Sequence, residues 1–164
     1  MTMEKPGMSR RHLLRTAAVG VPAMGALSAV NLFGAPAAKA IDLEVDGYWG
    51  SATTSALQEV LGTPVDGIVS SQNESWRKYN PALTSGWEWV PREMATGSTV
   101  IAALQSRIGA KSDGLMGQST IRILQRWVGV PMSGFFDNPR RDRRANEPSN
   151  GVYELQMRLR DGKI

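Results

Sequence analysis

The chain has 164 residues, no cysteine and a single histidine, His12. Without cysteine there is no disulfide framework, no thiol nucleophile and no thioether-linked lipid. His12 lies within the first 40 residues, so residues 41–164 hold neither imidazole nor thiol. That excludes a Ser-His-Asp or Cys-His nucleophile and a zinc site of nitrogen and sulfur ligands. Carboxylates alone are left for catalysis, and neither a metal nor another cofactor is expected.

A charge excess is missing as well. The formal net charge is +4, but of 19 basic and 15 acidic residues five and one fall within residues 1–40, which leaves 14 of each. A basic balance ordinarily points to nucleic acid or an anionic surface. Here it belongs to the leading segment, so no nucleic-acid partner is expected. The other 124 residues suffice for one modest core or two small lobes.

The leading segment has three parts: Ser9-Arg10-Arg11-His12-Leu13-Leu14-Arg15, a mildly apolar run over residues 16–33, and Ala38-Lys39-Ala40. This is the layout of an export signal, with small residues Ala38 and Ala40 where a signal peptidase reads. The paired Arg10 and Arg11 resemble a twin-arginine signal, which implies the twin-arginine translocase as a partner during export. Gly20, Pro22 and Gly25 dilute the apolar run, so no stable membrane span is expected. Residues 1–40 are expected to be removed, leaving an exported protein of the cell wall or extracellular space.

An internal repeat appears at an offset of 67 residues. Asp46-Gly47-Tyr48-Trp49-Gly50-Ser51-Ala52-Thr53 aligns with Asp113-Gly114-Leu115-Met116-Gly117-Gln118-Ser119-Thr120, and both copies continue through Leu-Gln, Gly, Pro and Gly. Nine positions are fixed without a gap, as D-G-x-x-G-x-x-T-x-x-x-L-Q-x-x-x-G-x-P-x-x-G. Asp-Gly forms a turn, because Asp bonds its own backbone and Gly takes positive φ. Asp46, Asp66 and Asp113 read as turn formers, since no calcium-loop spacing surrounds them. Gly50 and Gly117 stand where the turn passes into a helix, so a β-branched replacement such as Gly117→Val is expected to cost stability if the backbone there has positive φ.

Helical spacing follows each turn. Thr53, Ala56, Leu57, Val60 and Leu61 make one stripe, ended by Gly62; Thr120, Ile123, Leu124, Trp127 and Val128 make the other, ended by Gly129. Two further Leu-Gln pairs sit on a helix capped by Ser98, carrying Val100, Ala103, Leu104 and Ile108, and on one capped by Asn150, carrying Val152, Leu155 and Leu159. The fold class expected is mostly α, in small repeats of helix, Asp-Gly turn and helix. One unit is complete; the first copy lacks its leading helix, and residues 149–164 supply a leading helix with nothing after it. Whether two chains combine these incomplete ends is open.

On these residues the chain resembles the peptidoglycan-binding repeats that actinobacterial and phage lysozyme-type endolysins carry beside their catalytic domains. The likeness rests on the two D-G-x-x-G-x-x-T-x-x-x-L-Q blocks and on Ser98-Thr99-Val100-Ile101-Ala102-Ala103-Leu104-Gln105. It implies a wall-binding module with peptidoglycan as partner, divided into a leader at 1–40, an incomplete repeat at 41–96 and a complete repeat with a C-terminal helix at 97–164. Two features depart from the pattern: no catalytic domain stands in front, and residues 140–148 form an Arg-rich insertion.

Six aromatic residues are candidate ligand contacts. Trp49 is first a core plug, because its counterpart Met116 is also apolar, and second a ligand contact; Tyr48, aligned with Leu115, is the more exposed of the two. Trp76, Tyr79, Trp87 and Trp89 fall in residues 73–92, which have no counterpart in the second copy. Trp87 and Trp89 share a face if residues 85–90 are extended, and two such indoles make a platform for a glycan. The alternative is that these aromatics clamp two lobes together. Trp127 belongs to the core. Glu74, Glu88 and Glu93 are the acids nearest this cluster, and their spacing selects no acid and nucleophile pair. Two other readings compete with wall binding: an interaction or regulatory protein derived from a shortened endolysin, and a carboxylate-only glycoside hydrolase.

Overall fold

Each Leu-Gln pair lies on a helix, and the four leucines meet in one core. The helices are α1 (Ser51–Leu61), α2 (Thr99–Ile108), α3 (Gln118–Val128) and α4 (Gly151–Arg160). A computed structural model describes residues 41–136 and 151–164, all within one compact unit, Ala38–Ile164. The leader with Arg10, Arg11, Ala38 and Ala40, the cap at Asn150 and the Arg-rich residues 140–148 lie outside the described residues.

Leu57, Leu104, Leu124 and Leu155 are wholly buried. Each helix packs mainly on two others, so α1, α2, α3 and α4 form a closed ring around them. The expected stripes are displaced by about one residue. Ile121 is buried where Ile123 was expected, Val60 is exposed, and Trp127 is half-buried with the Arg158 guanidinium 4.7 Å from its ring centre. The cause is the glutamine beside each leucine. Gln58, Gln105, Gln125 and Gln156 are buried too, and this turns the inward face toward the Leu-Gln pair.

The glutamines are buried because each one fills a turn with hydrogen bonds. The Gln58 oxygen accepts the Gly67 N–H at 2.9 Å while its amide donates to the Asp66 carboxylate at 2.7 Å. Gln105 does the same at Gly114 (2.7 Å) and Asp113 (2.9 Å). Gln125 does it at Gly134 (2.8 Å) and the Ser133 hydroxyl (2.9 Å). Gln156 reaches back to the first copy, accepting from Gly47 at 2.8 Å and donating to Asp46 at 3.0 Å. Helix α4 is therefore the missing leading helix of the first copy. The two incomplete ends complete each other within one chain.

The expectation of a mostly helical body of small helical repeats is corrected by residues 69–96, which connect the two copies and include the unmatched residues 73–92. They contribute a parallel pair, β1 (Val69–Asn73) and β2 (Trp87–Val90), two short 3-10 helices, Glu74–Tyr79 and Arg92–Met94, and an isolated bridge from Trp49 to Leu83. The fold is mixed α/β. The register pairs Val69 with Trp87 and Gln72 with Trp89, with a bulge between them. At the bulge Ser71 takes φ of 52°, held by its N–H to the Glu88 carboxylate (2.9 Å) and by the Thr96 N–H to its hydroxyl (2.9 Å). The bulge aims Gln72 inward, where its amide donates to the Gly114 carbonyl and its oxygen accepts the Met116 N–H. The inserted segment is thereby bonded to the second repeat.

Candidate functional site

The 3-10 helix Glu74–Tyr79 starts at Asn73, whose side chain accepts the Ser75 N–H. It ends at Asn80, a buried amide that donates to the Trp76 carbonyl at 2.9 Å and accepts the Phe136 N–H at 2.8 Å. One side chain thus ties the aromatic insertion to the segment that follows the last turn of the second repeat. The consequence is a cleft of about 190 Å³ lined by Trp76, Tyr79, Asn80, Gln118, Gly134 and Phe135.

Its walls are aromatic and its polar groups include two amides, those of Asn80 and Gln118. Tyr79, 49% exposed, lies 5.7 Å from Phe135 between ring centres. The outer edge of the Trp76 six-membered ring closes against Gly117, where a β-carbon would collide with it. Gln118 is exposed beside this contact at the first turn of α3. Such a cleft offers ring faces to the C–H faces of a sugar and an amide to its hydroxyls.

The other candidates divide between surface and core. Residues 87–90 are extended, and Trp87 and Trp89 do stack, 5.5 Å apart and 15° from parallel. The stack faces inward, however. Trp87 is 8% exposed, donates its indole N–H to the Trp49 carbonyl at 3.0 Å and meets the Trp49 ring edge-on. Trp89 is half-buried against it. An outward two-indole platform is not formed, because the chain needs Trp87 to seal the insertion onto Trp49. Trp49 is wholly buried and bonds its indole N–H to Thr54, so it too is core. Tyr48 is 41% exposed and borders a second depression at the start of α1.

Sequence reasoning singled out Trp76 and Tyr79 and missed Phe135, Gln118 and Asn80. Phe135 had a signal: it follows the Gly134 turn as Ile68 follows Gly67, and Ile68 is exposed. The condition of positive φ at Gly50 and Gly117 is not met, since their φ values are −103° and −85°. At Gly117 the constraint is the indole above it rather than the backbone angle.

The turns carry the electrostatics. The Gln58 amide and the Ile68 N–H hold the Asp66 carboxyl below the usual carboxylate range. Burial pushes Asp113 upward, but the Gln105 amide, the Leu115 N–H and Lys111 outweigh it and the carboxyl is lowered. Glu74, Glu88 and Glu93 are all exposed. Among the described residues no group of three or more His, Cys, Asp or Glu side chains is placed to hold a metal ion. No described helix is long and apolar enough to cross a membrane. No known family, curated protein or solved structure matches the chain.

Proposed function

We propose that this is an exported, non-catalytic protein that binds bacterial cell-wall peptidoglycan. The observation that carries the proposal is the cleft between Trp76, Tyr79 and Phe135 with the Gln118 amide at its edge. Support comes also from the twin-arginine-like leader, which implies a destination outside the cytoplasm, and from the resemblance of the Asp-Gly blocks to wall-binding repeats. The translocase and signal peptidase are its partners in transit, and the wall is its partner at rest. No pair of carboxylates with a general acid held beside a nucleophile flanks the cleft, so binding is the chemistry proposed for it.

The test is sedimentation with purified, insoluble peptidoglycan, read alongside wall turbidity. The protein is expected in the pellet with turbidity constant. Protein left in the supernatant contradicts the binding, and a falling turbidity contradicts the non-catalytic assignment.

A further inference from the structure

Two cations stand at the edge of the aromatic cleft, one from each of the segments that build it. The six lining residues themselves include no Asp, Glu, Lys or Arg. From the 3-10 helix, Lys78 holds its ammonium 4.8 Å from the centre of the Tyr79 ring. From α3, Arg122 stands one helical turn after Gln118, and both side chains lie against Gly134. The Gln118 Cγ is 2.6 Å and the Arg122 Nε 3.0 Å from the point that a β-carbon on Gly134 would take. Because that residue is glycine, the guanidinium can border the cleft. Lys78 and Arg122 are both exposed, and neither has an ion pair among the described residues. Residues 41–164 as a whole hold 14 basic and 14 acidic groups, so the unmatched pair is a local feature.

We infer that the cleft selects an acidic sugar, its aromatic walls taking the saccharide ring and Lys78 and Arg122 taking a carboxylate carried by that ring. The tyrosine ring positions the ammonium without using its N–H donors. The guanidinium offers a planar fork that matches a carboxylate. The inference rests on the wall-binding proposal and names the part of the wall that the cleft reads. In peptidoglycan a carboxylate has two sources: the lactyl group of N-acetylmuramic acid and the stem peptide joined to it. Both place the acid on a substituent of the sugar, which makes neutral N-acetylglucosamine the poorer ligand.

The full chain is titrated with three soluble probes while its backbone amide resonances are followed, and is sedimented in parallel with insoluble peptidoglycan. The probes are the β-1,4-linked dimer of N-acetylglucosamine, the N-acetylglucosamine–N-acetylmuramic acid disaccharide with a free lactyl carboxylate, and the same disaccharide with the lactyl group amide-linked to L-alanyl-D-isoglutamine. Shifts at Tyr79, Gln118, Gly134 and Phe135 are expected, with at least one acidic probe bound about fivefold more tightly than the neutral dimer, the size two exposed charge pairs supply. The advantage should shrink in high salt. It should fall in Lys78→Gln and in Arg122→Gln and vanish in the double variant, while binding of the neutral dimer stays as in the parent. Preference for the free disaccharide assigns the lactyl group as the source, and preference for the peptide-bearing one assigns the stem peptide; either supports the inference. Equal affinity for all three probes overturns it, and so does an acid preference that the double variant retains. Either result with the protein still in the pellet leaves the wall-binding proposal standing. No shifts from any probe also overturns the inference. Acid-dependent shifts at the cleft without pelleting support it and overturn peptidoglycan as the partner.

Discussion

The side-chain oxygen of Gln156 accepts the Gly47 N–H at 2.8 Å, across 109 positions of sequence. The same side chain donates to Asp46, Tyr48 and Thr53. The last helix and the first turn are therefore one unit, and the bonds of this amide add to the packing of α4 on α1 that closes the ring of helices. Replacing Gln156 by Ala leaves buried partners without hydrogen bonds, at a cost of about 1 to 3 kcal/mol for such groups. The urea midpoint should fall accordingly. A midpoint unchanged from the parent would show that α4 is not held by this residue.

Gly117→Ala should destabilise the protein even though its φ of −85° suits alanine, because the new methyl enters the Trp76 ring. Overpacking of this kind costs about 1 to 3 kcal/mol. The penalty should shrink when the same change is made in a Trp76→Ala background, since the two residues share one contact. Equal penalties in both backgrounds would rule out the indole as the cause.

Trp87 is a core residue bonded to the Trp49 carbonyl, so Trp87→Ala should cost about 3 to 5 kcal/mol, the range for large aromatic truncations. Trp89→Ala should cost less, because Trp89 is only half-buried. Thermal midpoints in the opposite order would contradict this placement of the stacked pair.

The repeat was legible in the sequence because its Asp-Gly turns, helix stops and Leu-Gln pairs are all local features. Gly62 and Gly129 end α1 and α3 in the left-handed conformation, as their places after the apolar stripes indicate. What was not legible depended on long-range bonds. Nothing in the apolar period says that a glutamine will be buried, so the stripes were drawn one residue off. The run Val69-Ser70-Ser71-Gln72-Asn73 is polar and has a weak strand pattern, and it pairs only because a bulge at Ser71 turns Gln72 inward. The cleft was half visible for the same reason. Trp76 and Tyr79 were conspicuous in an unmatched segment, whereas Phe135 and Gln118 join them through the Asn80 bond to Phe136.

Acid should destabilise the fold through its turns. The carboxyls of Asp66 and Asp113 are lowered in the folded protein, so folding binds fewer protons at these sites than the unfolded chain does. Their stabilisation is fully present above the ordinary carboxylate pKa and is lost as pH falls through the lowered folded values. Asp66→Asn and Asp113→Asn should each flatten the fall of the urea midpoint on acidification. Profiles parallel to that of the parent would exclude these two groups as contributors.

Wall binding through the aromatic cleft is tested most directly by sedimentation of Tyr79→Ala and Gln118→Ala with purified peptidoglycan. Both residues are exposed and line the cleft, so their thermal midpoints should stay within a few degrees of the parent. The fraction pelleted should fall in each variant and fall further in the double variant. Pelleting equal to that of the parent, with both variants folded, would contradict the assignment of this cleft to the wall ligand.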